Sequence, residues 1–397
     1  MTHGKLSIGA VLLAAGLAGA CSSSKSSGTP GTAGATGAAG ATGAAGATAG
    51  STGAAGATAG STGAAGATGA AGMAALVTPT DLATVAGCGN IRMVLQGGKI
   101  YYTSKMTGAV ASIAVTGGTP TPIAMTQNKP NPIATDGTTV FWGNDGDKTV
   151  MKQALTAGAT ASTFVPAPTA ADPMNINNVN ALLVDGATLY IGRGYDTYKI
   201  PTAGGTMTQL SHSPDADLGI PGAFATDGTH LYQAEIGHNA ITRESVDGMQ
   251  NGLLEDGTTH AALAPDRIAV SRSGLVTDAI AISGSYVVWA NNNGIEDHKK
   301  DESQFASTLT LIANSAEFSS LSGFVISGTK IYMGESDSSE VEVVNLNLTP
   351  TMGSDTPTAT VIATKQTVPA EFLADDTNIY FTTIEKDGTC KIKKIAK

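Results

Sequence analysis

From about residue 90 onward, short apolar runs alternate with tight polar turns, and one sentence of side chains keeps returning. Its clearest form is Ile133 to Gly143, IATDGTTVFWG: an apolar run, an Asp-Gly turn, then a strand with adjacent aromatics. It recurs as LVDGATLYIG at Leu183, FATDGTHLYQA at Phe224, IAISGSYVVWA at Ile280, FVISGTKIYMG at Phe324 and LADDTNIYFT at Leu373, with a degenerate first copy, VLQGGKIYYT, at Val94. Anchored on Gln96, Asp136, Asp185, Asp227, Ser283, Ser327 and Asp375, the seven copies lie 40, 49, 42, 56, 44 and 48 residues apart. A period of this length with a strand–turn–strand signature predicts an all-β chain, a seven-bladed β-propeller of four-stranded blades. The run before each turn is the expected innermost strand. The Asp-Gly pair is expected to close a hairpin with both central residues at positive φ. The following strand sets an aromatic at one register (Tyr101, Phe141, Tyr190, Tyr232, Tyr332 and Tyr380, with Val288 the exception), predicted to pack between neighbouring blades.

The first ninety residues read differently. His3 and Lys5 precede an apolar stretch from Leu6 to Leu17, too short to span a bilayer and suited to a secretory signal over residues 1–20. Leu17-Ala18-Gly19-Ala20-Cys21 resembles the lipobox that ends bacterial lipoprotein signals, with Ala18 where a larger aliphatic is usual. The resemblance implies lipidation of Cys21 and a membrane anchor; Ser22 after it, by resemblance to enterobacterial lipoproteins, favours the outer membrane. Cleavage nearby without lipidation is the alternative. Residues 21–72 are almost wholly Gly, Ala, Ser and Thr, with GAAGATAGST at Gly43 and again at Gly53. No large apolar side chain offsets the entropy of ordering, so a disordered tether is expected. Glycine falls at every third residue from Gly31 to Gly46, but the register breaks at Ala49 and Pro30 is the lone proline, unlike a collagen triple helix.

Residues 73–397 therefore make the propeller, and its ends matter. The last repeat stops one strand short, while the segment from Ala75 to Val85 precedes the first innermost strand without a blade of its own. It is expected to supply the missing outer strand of the last blade. With Cys21 on lipid, the remaining cysteines are Cys88, just after that segment, and Cys390, in the final strand. In an exported chain they are expected to form a disulfide; two unpaired buried thiols are the alternative.

With its DG-x-x-aromatic-aromatic units, the body from about residue 90 resembles bacterial seven-bladed propellers of the NHL and streptogramin-lyase type. The resemblance is informative for fold and poor for activity, since one propeller plan serves many functions.

Candidate chemistry is sparse. The lyases resembled here use a histidine-centred site with an acidic neighbour. The comparable local cluster is His230, Glu235 and His238, but strand alternation points Glu235 away from His230. No catalytic set can be carried over. Asn144-Asp145-Gly146-Asp147 and Asn291-Asn292-Asn293 could offer oxygen ligands in turns, yet neither continues into a calcium loop, and no zinc or nucleotide motif occurs. No metal or cofactor is expected. The run from Glu335 to Glu342 fits an outer strand with one wet face, or a cation patch. A net charge of −10 argues against nucleic acid as partner.

What remains is the pore. Counting back five positions from each anchor gives Ile91, Asn131, Asn180, Gly222, Asp278, Ser322 and Ala370, with Glu371 next to the last. The polar members, Asn131, Asn180, Asp278, Ser322 and Glu371, are the candidate ligand site at one mouth of the channel. The expectation is a membrane-anchored, extracytoplasmic, non-catalytic module that binds a protein or envelope glycan. A lyase-type enzyme and a stalked adhesion or structural protein are the alternatives.

Overall fold

The computed structural model describes residues 76–88, 90–168, 178–212, 220–236, 240–248, 266–270, 276–291, 294–300, 310–311, 321–346 and 359–397. The candidate signal, Cys21, the tether and His238 lie outside them. β1 (Thr80–Val85) stands first in the chain. Blade 1 contains β2 (Ile91–Gln96), β3 (Lys99–Ser104), β4 (Ala109–Ala114) and β5 (Thr121–Ala124). Blade 2 contains β6 (Pro130–Thr135), β7 (Thr139–Asn144), β8 (Thr149–Ala154) and β9 (Ser162–Val165). Blade 3 contains β10 (Val179–Asp185), β11 (Thr188–Arg193), β12 (Asp196–Pro201) and β13 (Thr208–His212). Blade 4 contains β14 (Ile220–Thr226), β15 (His230–Ile236), β16 (Ala240–Ser245) and β17 (Asp266–Val270). Blade 5 contains β18 (Val276–Ser283), β19 (Tyr286–Asn291), β20 (Gly294–Lys299) and β21 (Thr310–Leu311). Blade 6 contains β22 (Leu321–Ser327), β23 (Lys330–Glu335), β24 (Glu340–Asn345) and β25 (Thr360–Ala363). Blade 7 contains β26 (Ala370–Ala374), β27 (Asn378–Ile384) and β28 (Cys390–Ala396), and β1 completes it in the order β1-β28-β27-β26.

The seven antiparallel sheets thus form the expected wheel, and its core lies between them. Each of the seven apolar clusters joins two neighbouring blades. Phe141 of blade 2 packs with Val179, Leu189 and Ile191 of blade 3, and Tyr332 of blade 6 packs with Phe372 and Phe381 of blade 7. The register aromatic is the reaching side chain in every case, including Val288 of blade 5, which meets Phe324 and Met333 of blade 6. Full burial of such a side chain stabilises by roughly 1.5–3 kcal/mol. Two residues further along, β7, β11 and β23 need glycine, because the next blade presses on their backbone. A Cβ on Gly143 would lie 2.5 Å from Val179 Cγ1, and one on Gly334 would lie 2.5 Å from the Pro369 carbonyl oxygen.

The turns depart from expectation. Both central residues reach positive φ only at Gly97-Gly98; at Asp136-Gly137 and Asp227-Gly228 the glycine alone does. The aspartate acts instead as a side-chain acceptor. Asp375 Oδ1 accepts from the N–H groups of Thr377 (2.8 Å) and Asn378 (2.7 Å), and its other oxygen accepts from the Tyr380 hydroxyl at 2.5 Å. Asp227 repeats this with Thr229, His230 and Tyr232. In these two blades the motif therefore ties the turn to the buried aromatic five residues on. Burial alone would raise the Asp375 carboxyl, but the Tyr380 hydroxyl and the turn N–H groups outweigh it and hold it at about 2.

Closure follows the sequence expectation. β1 pairs with β28 from Thr80↔Lys394 to Val85↔Cys390, and Cys88 and Cys390 form a disulfide with Cα atoms 5.6 Å apart. Lys391 reaches Asp81 at 2.7 Å, across the same seam. The acidic run was expected on an outer strand. It belongs instead to β23, β24 and their turn, inside blade 6, where Glu335 and Glu342 are buried.

Candidate functional site

The innermost strands β2, β6, β10, β14, β18, β22 and β26 surround one axial cavity of about 370 Å³, which touches all seven. It occupies the half of the channel where those strands begin. In six blades the first pairs of the innermost strand are irregular: the register slips between Pro130 and Ile133, Val179 and Ala181, Pro221 and Ala223, Val276 and Ile280, Leu321 and Gly323, and Ala370 and Leu373. Asn131, Asn180, Gly222, Asp278, Ser322 and Glu371 are residues inside these slips. A bulge residue is freed from the ladder and its side chain is re-aimed, a device common beside binding sites.

The structure brings only part of the predicted set to the cavity. Asn180, Ser322 and Glu371 line it, together with Gly222. Asn180 donates to the Gly194 carbonyl at 3.4 Å, and Ser322 donates to the carbonyls of Gly334 and Pro369. Asn131 is not among the lining residues; its carbonyl accepts from the Thr103 hydroxyl at 2.6 Å. Asp278 is placed in β18, and its side chain is outside the described residues. Ile91 and Ala370 face an adjoining cleft of about 310 Å³ that also reaches Ile384 and Cys390.

Arg92 was missed. Blade 1 has no bulge, its pairs running unbroken from Ile91↔Ser104 to Gln96↔Lys99, so the inward position moves one residue along from Ile91. Its guanidinium meets Glu371 Oε1 at 2.6 Å, and the Met93 N–H reaches Glu371 Oε2 at 3.3 Å. Arg92, Glu371 and Ser322 border both the axial cavity and the adjoining cleft. Glu371 makes this contact from a left-handed backbone, φ 50°. An arginine beside the counted position was the available signal.

The face holding this mouth differs from the turn face. All seven described non-glycine residues with positive φ, from Thr126 to Glu371, lie in its loops or strand starts. Such strained backbone concentrates at functional sites. The exposed large apolar side chains Met106, Met125, Ile236 and Ile384 also lie on this face. β1 begins toward the opposite, turn face, at Thr80↔Lys394, and before it the Val77 N–H donates to the Ile362 carbonyl of blade 6.

Other candidate groups resolve into structure. His230 opens β15 and Glu235 lies near its far end, so they do not meet; His230 contacts the Thr229 hydroxyl. Glu235 accepts from Thr242 at 2.8 Å inside the blade. Asn144 bonds Gln127 and Thr149, Asp145 pairs with Lys105 and Asp147 accepts from Thr149. Glu335, Glu340 and Glu342 bring carboxylate oxygens within 4.8 Å of one another, hard donors of the kind a divalent cation takes, with Ser338 donating to Glu335 at 2.8 Å.

Neither a family model nor the sequence of a curated protein matches the chain. Solved structures do resemble it. A streptogramin B lyase superposes with a TM-score of 0.58 at 12% identity, covering 81% of this chain and 97% of that one. A catalytically inactive virginiamycin B lyase from Staphylococcus aureus, with quinupristin, gives 0.56 at 12% identity over 80% and 99%. YCF48 bound to D1 peptide gives 0.54 at 11% identity over 83% and 99%. At such identities the likeness extends to the fold: this chain is similar to propellers of enzymatic and of peptide-bound kinds alike.

Proposed function

We propose that this protein is an extracytoplasmic lipoprotein, anchored through Cys21, whose propeller is a non-catalytic module that binds or scaffolds a protein or an envelope glycan at its channel mouth. The observation that carries the reading is the axial cavity into which all seven innermost strands converge, with bulges presenting Asn180, Ser322 and Glu371 beside Arg92. A concave site with a few converging polar groups is the usual form of a ligand site. Exposed Met106, Met125 and Ile384 on the same face suit a protein partner's apolar contacts. The acidic balance disfavours nucleic acid. A lyase-type reaction is the second reading, favoured by the fold likeness to streptogramin B lyase.

The reading is tested by affinity capture from envelope extract, with the wild-type propeller against the double variant Asn180→Ala/Glu371→Ala. A partner lost by the variant supports the mouth as the site; equal capture of every partner removes it. Absence of labelled palmitate on the full-length chain would remove the anchor.

A further inference from the structure

A second cavity, of about 570 Å³, opens on the turn face between blades 3 and 4, away from the channel mouth. Its size is that of a small-molecule site. The corresponding gap between blades 1 and 2 is filled by a side chain that blade 3 does not carry. Between blades 1 and 2 the long side chain of Gln96 projects so close that a Cβ on Gly137 would lie 2.9 Å from its Nε2. The residue at that place in blade 3 is the shorter Asp185, and a Cβ on Gly228 would meet nothing within 4 Å. The turn bond is also re-routed. Tyr232 and Tyr380 donate their hydroxyls to the aspartates of their own turns, Asp227 and Asp375. Asp185 instead accepts from Thr226 of blade 4 at 3.2 Å, and the Tyr190 hydroxyl makes no hydrogen bond to a described residue.

The walls carry matched chemistry. Asp185 offers a carboxylate and Lys199 an ammonium, of which one N–H is used on the Val246 carbonyl at 2.6 Å. Tyr190 and the exposed Thr208 add hydroxyls, while Pro201 supplies an apolar surface. An acceptor, a cationic donor and several hydroxyls around one apolar surface suit a ligand rich in hydroxyl groups that both donate and accept. A simple anion would face Asp185, and a simple cation would face Lys199. Burial, then Asp185 and Glu244, raise the Tyr190 phenol above its ordinary value, so it stands in the cleft as a protonated donor.

We propose that this cleft is a saccharide-binding subsite that takes a neutral sugar of a glycan chain. The test titrates the full chain with neutral di- to tetrasaccharides of hexoses and N-acetylhexosamines, followed by ligand-observed NMR and calorimetry. Three variants are compared: Asp185→Gln, which places the gap-filling side chain of blade 1 in the cleft; Tyr190→Phe, which deletes one hydroxyl; and Lys330→Ala, an exposed position on the turn face of blade 6. Saccharide binding is expected in the wild type, lost in Asp185→Gln, weakened about fivefold or more in Tyr190→Phe and unchanged in Lys330→Ala. If Asp185→Gln does not fold, the near-isosteric Tyr190→Phe decides. No binding of any of these saccharides, or equal affinity in wild type and Tyr190→Phe, overturns the subsite. An equal loss in Lys330→Ala would show that the effect is not local to the cleft and likewise overturn it.

Discussion

The Arg92 guanidinium of the first blade lies 2.6 Å from the Glu371 carboxylate of the last, so one ion pair spans the seam of the wheel and borders the channel. Both side chains are about one-fifth exposed, at 21% and 22%. Screening at that exposure keeps the pair modest. A double-mutant cycle on Arg92→Ala and Glu371→Ala, read by denaturant unfolding, is expected to give a coupling of about 1 kcal/mol. Zero coupling would mean that the contact adds nothing to closure.

The disulfide is the stronger seam. It joins positions 302 residues apart, and in the chain-entropy treatment so long a loop is worth about 5 kcal/mol as an upper value. Cys390→Ser should lower stability by roughly 3–5 kcal/mol, and reduction of the wild type should lower Tm comparably. A melt insensitive to reductant would contradict closure by Cys88 and Cys390.

Glu244 gives the account a pH signature. Burial pushes its carboxyl up to about 8, opposed by the neighbouring Ser211 hydroxyl and reinforced by Glu235. The folded chain therefore retains a proton that the unfolded chain releases above its ordinary carboxylate range. The sign follows: this group's effect makes stability fall as pH rises from about 4.5 toward 8, then level off. Glu244→Gln should flatten that slope and stabilise the chain at pH 8 by up to on the order of 4 kcal/mol. Urea midpoints measured at pH 5 and pH 8 for both proteins check it.

Close approach between blades predicts a steric sensitivity. Gly143→Val should destabilise by about 2–4 kcal/mol, because its side chain would drive into Val179 and Pro132. The same change at Gly284, where a Cβ meets nothing within 4 Å, carries only the backbone penalty of its positive φ. Thermal melts of the two variants separate packing from backbone strain.

These positions also mark how far the chain can be read. The recurrent turn and aromatic gave the blade number, because each aromatic serves one repeated inter-blade contact. Cys88 and Cys390 gave the seam, because they are the two cysteines of residues 73–397 and lie beside the first and in the last strand. The bulges were not legible. A slip such as Leu321 to Gly323 depends on how one blade packs against the next, and alternation of apolar residues does not encode it. Counting positions therefore reached Asn180 and Ser322, but named Ile91 where blade 1, without a bulge, turns Arg92 inward. The cleft by Asp185 was hidden for a related reason: it depends on how side chains from two blades meet on the turn face.

The central claim is that partners meet the face where the innermost strands begin. A photo-reactive residue placed at Met106 on that face, or at Lys330 on the turn face, tests it by cross-linking in intact envelopes. The account predicts a specific protein adduct from position 106, diminished by Asn180→Ala/Glu371→Ala, and none matching it from position 330. The same adduct from both positions, or from position 330 alone, would contradict it.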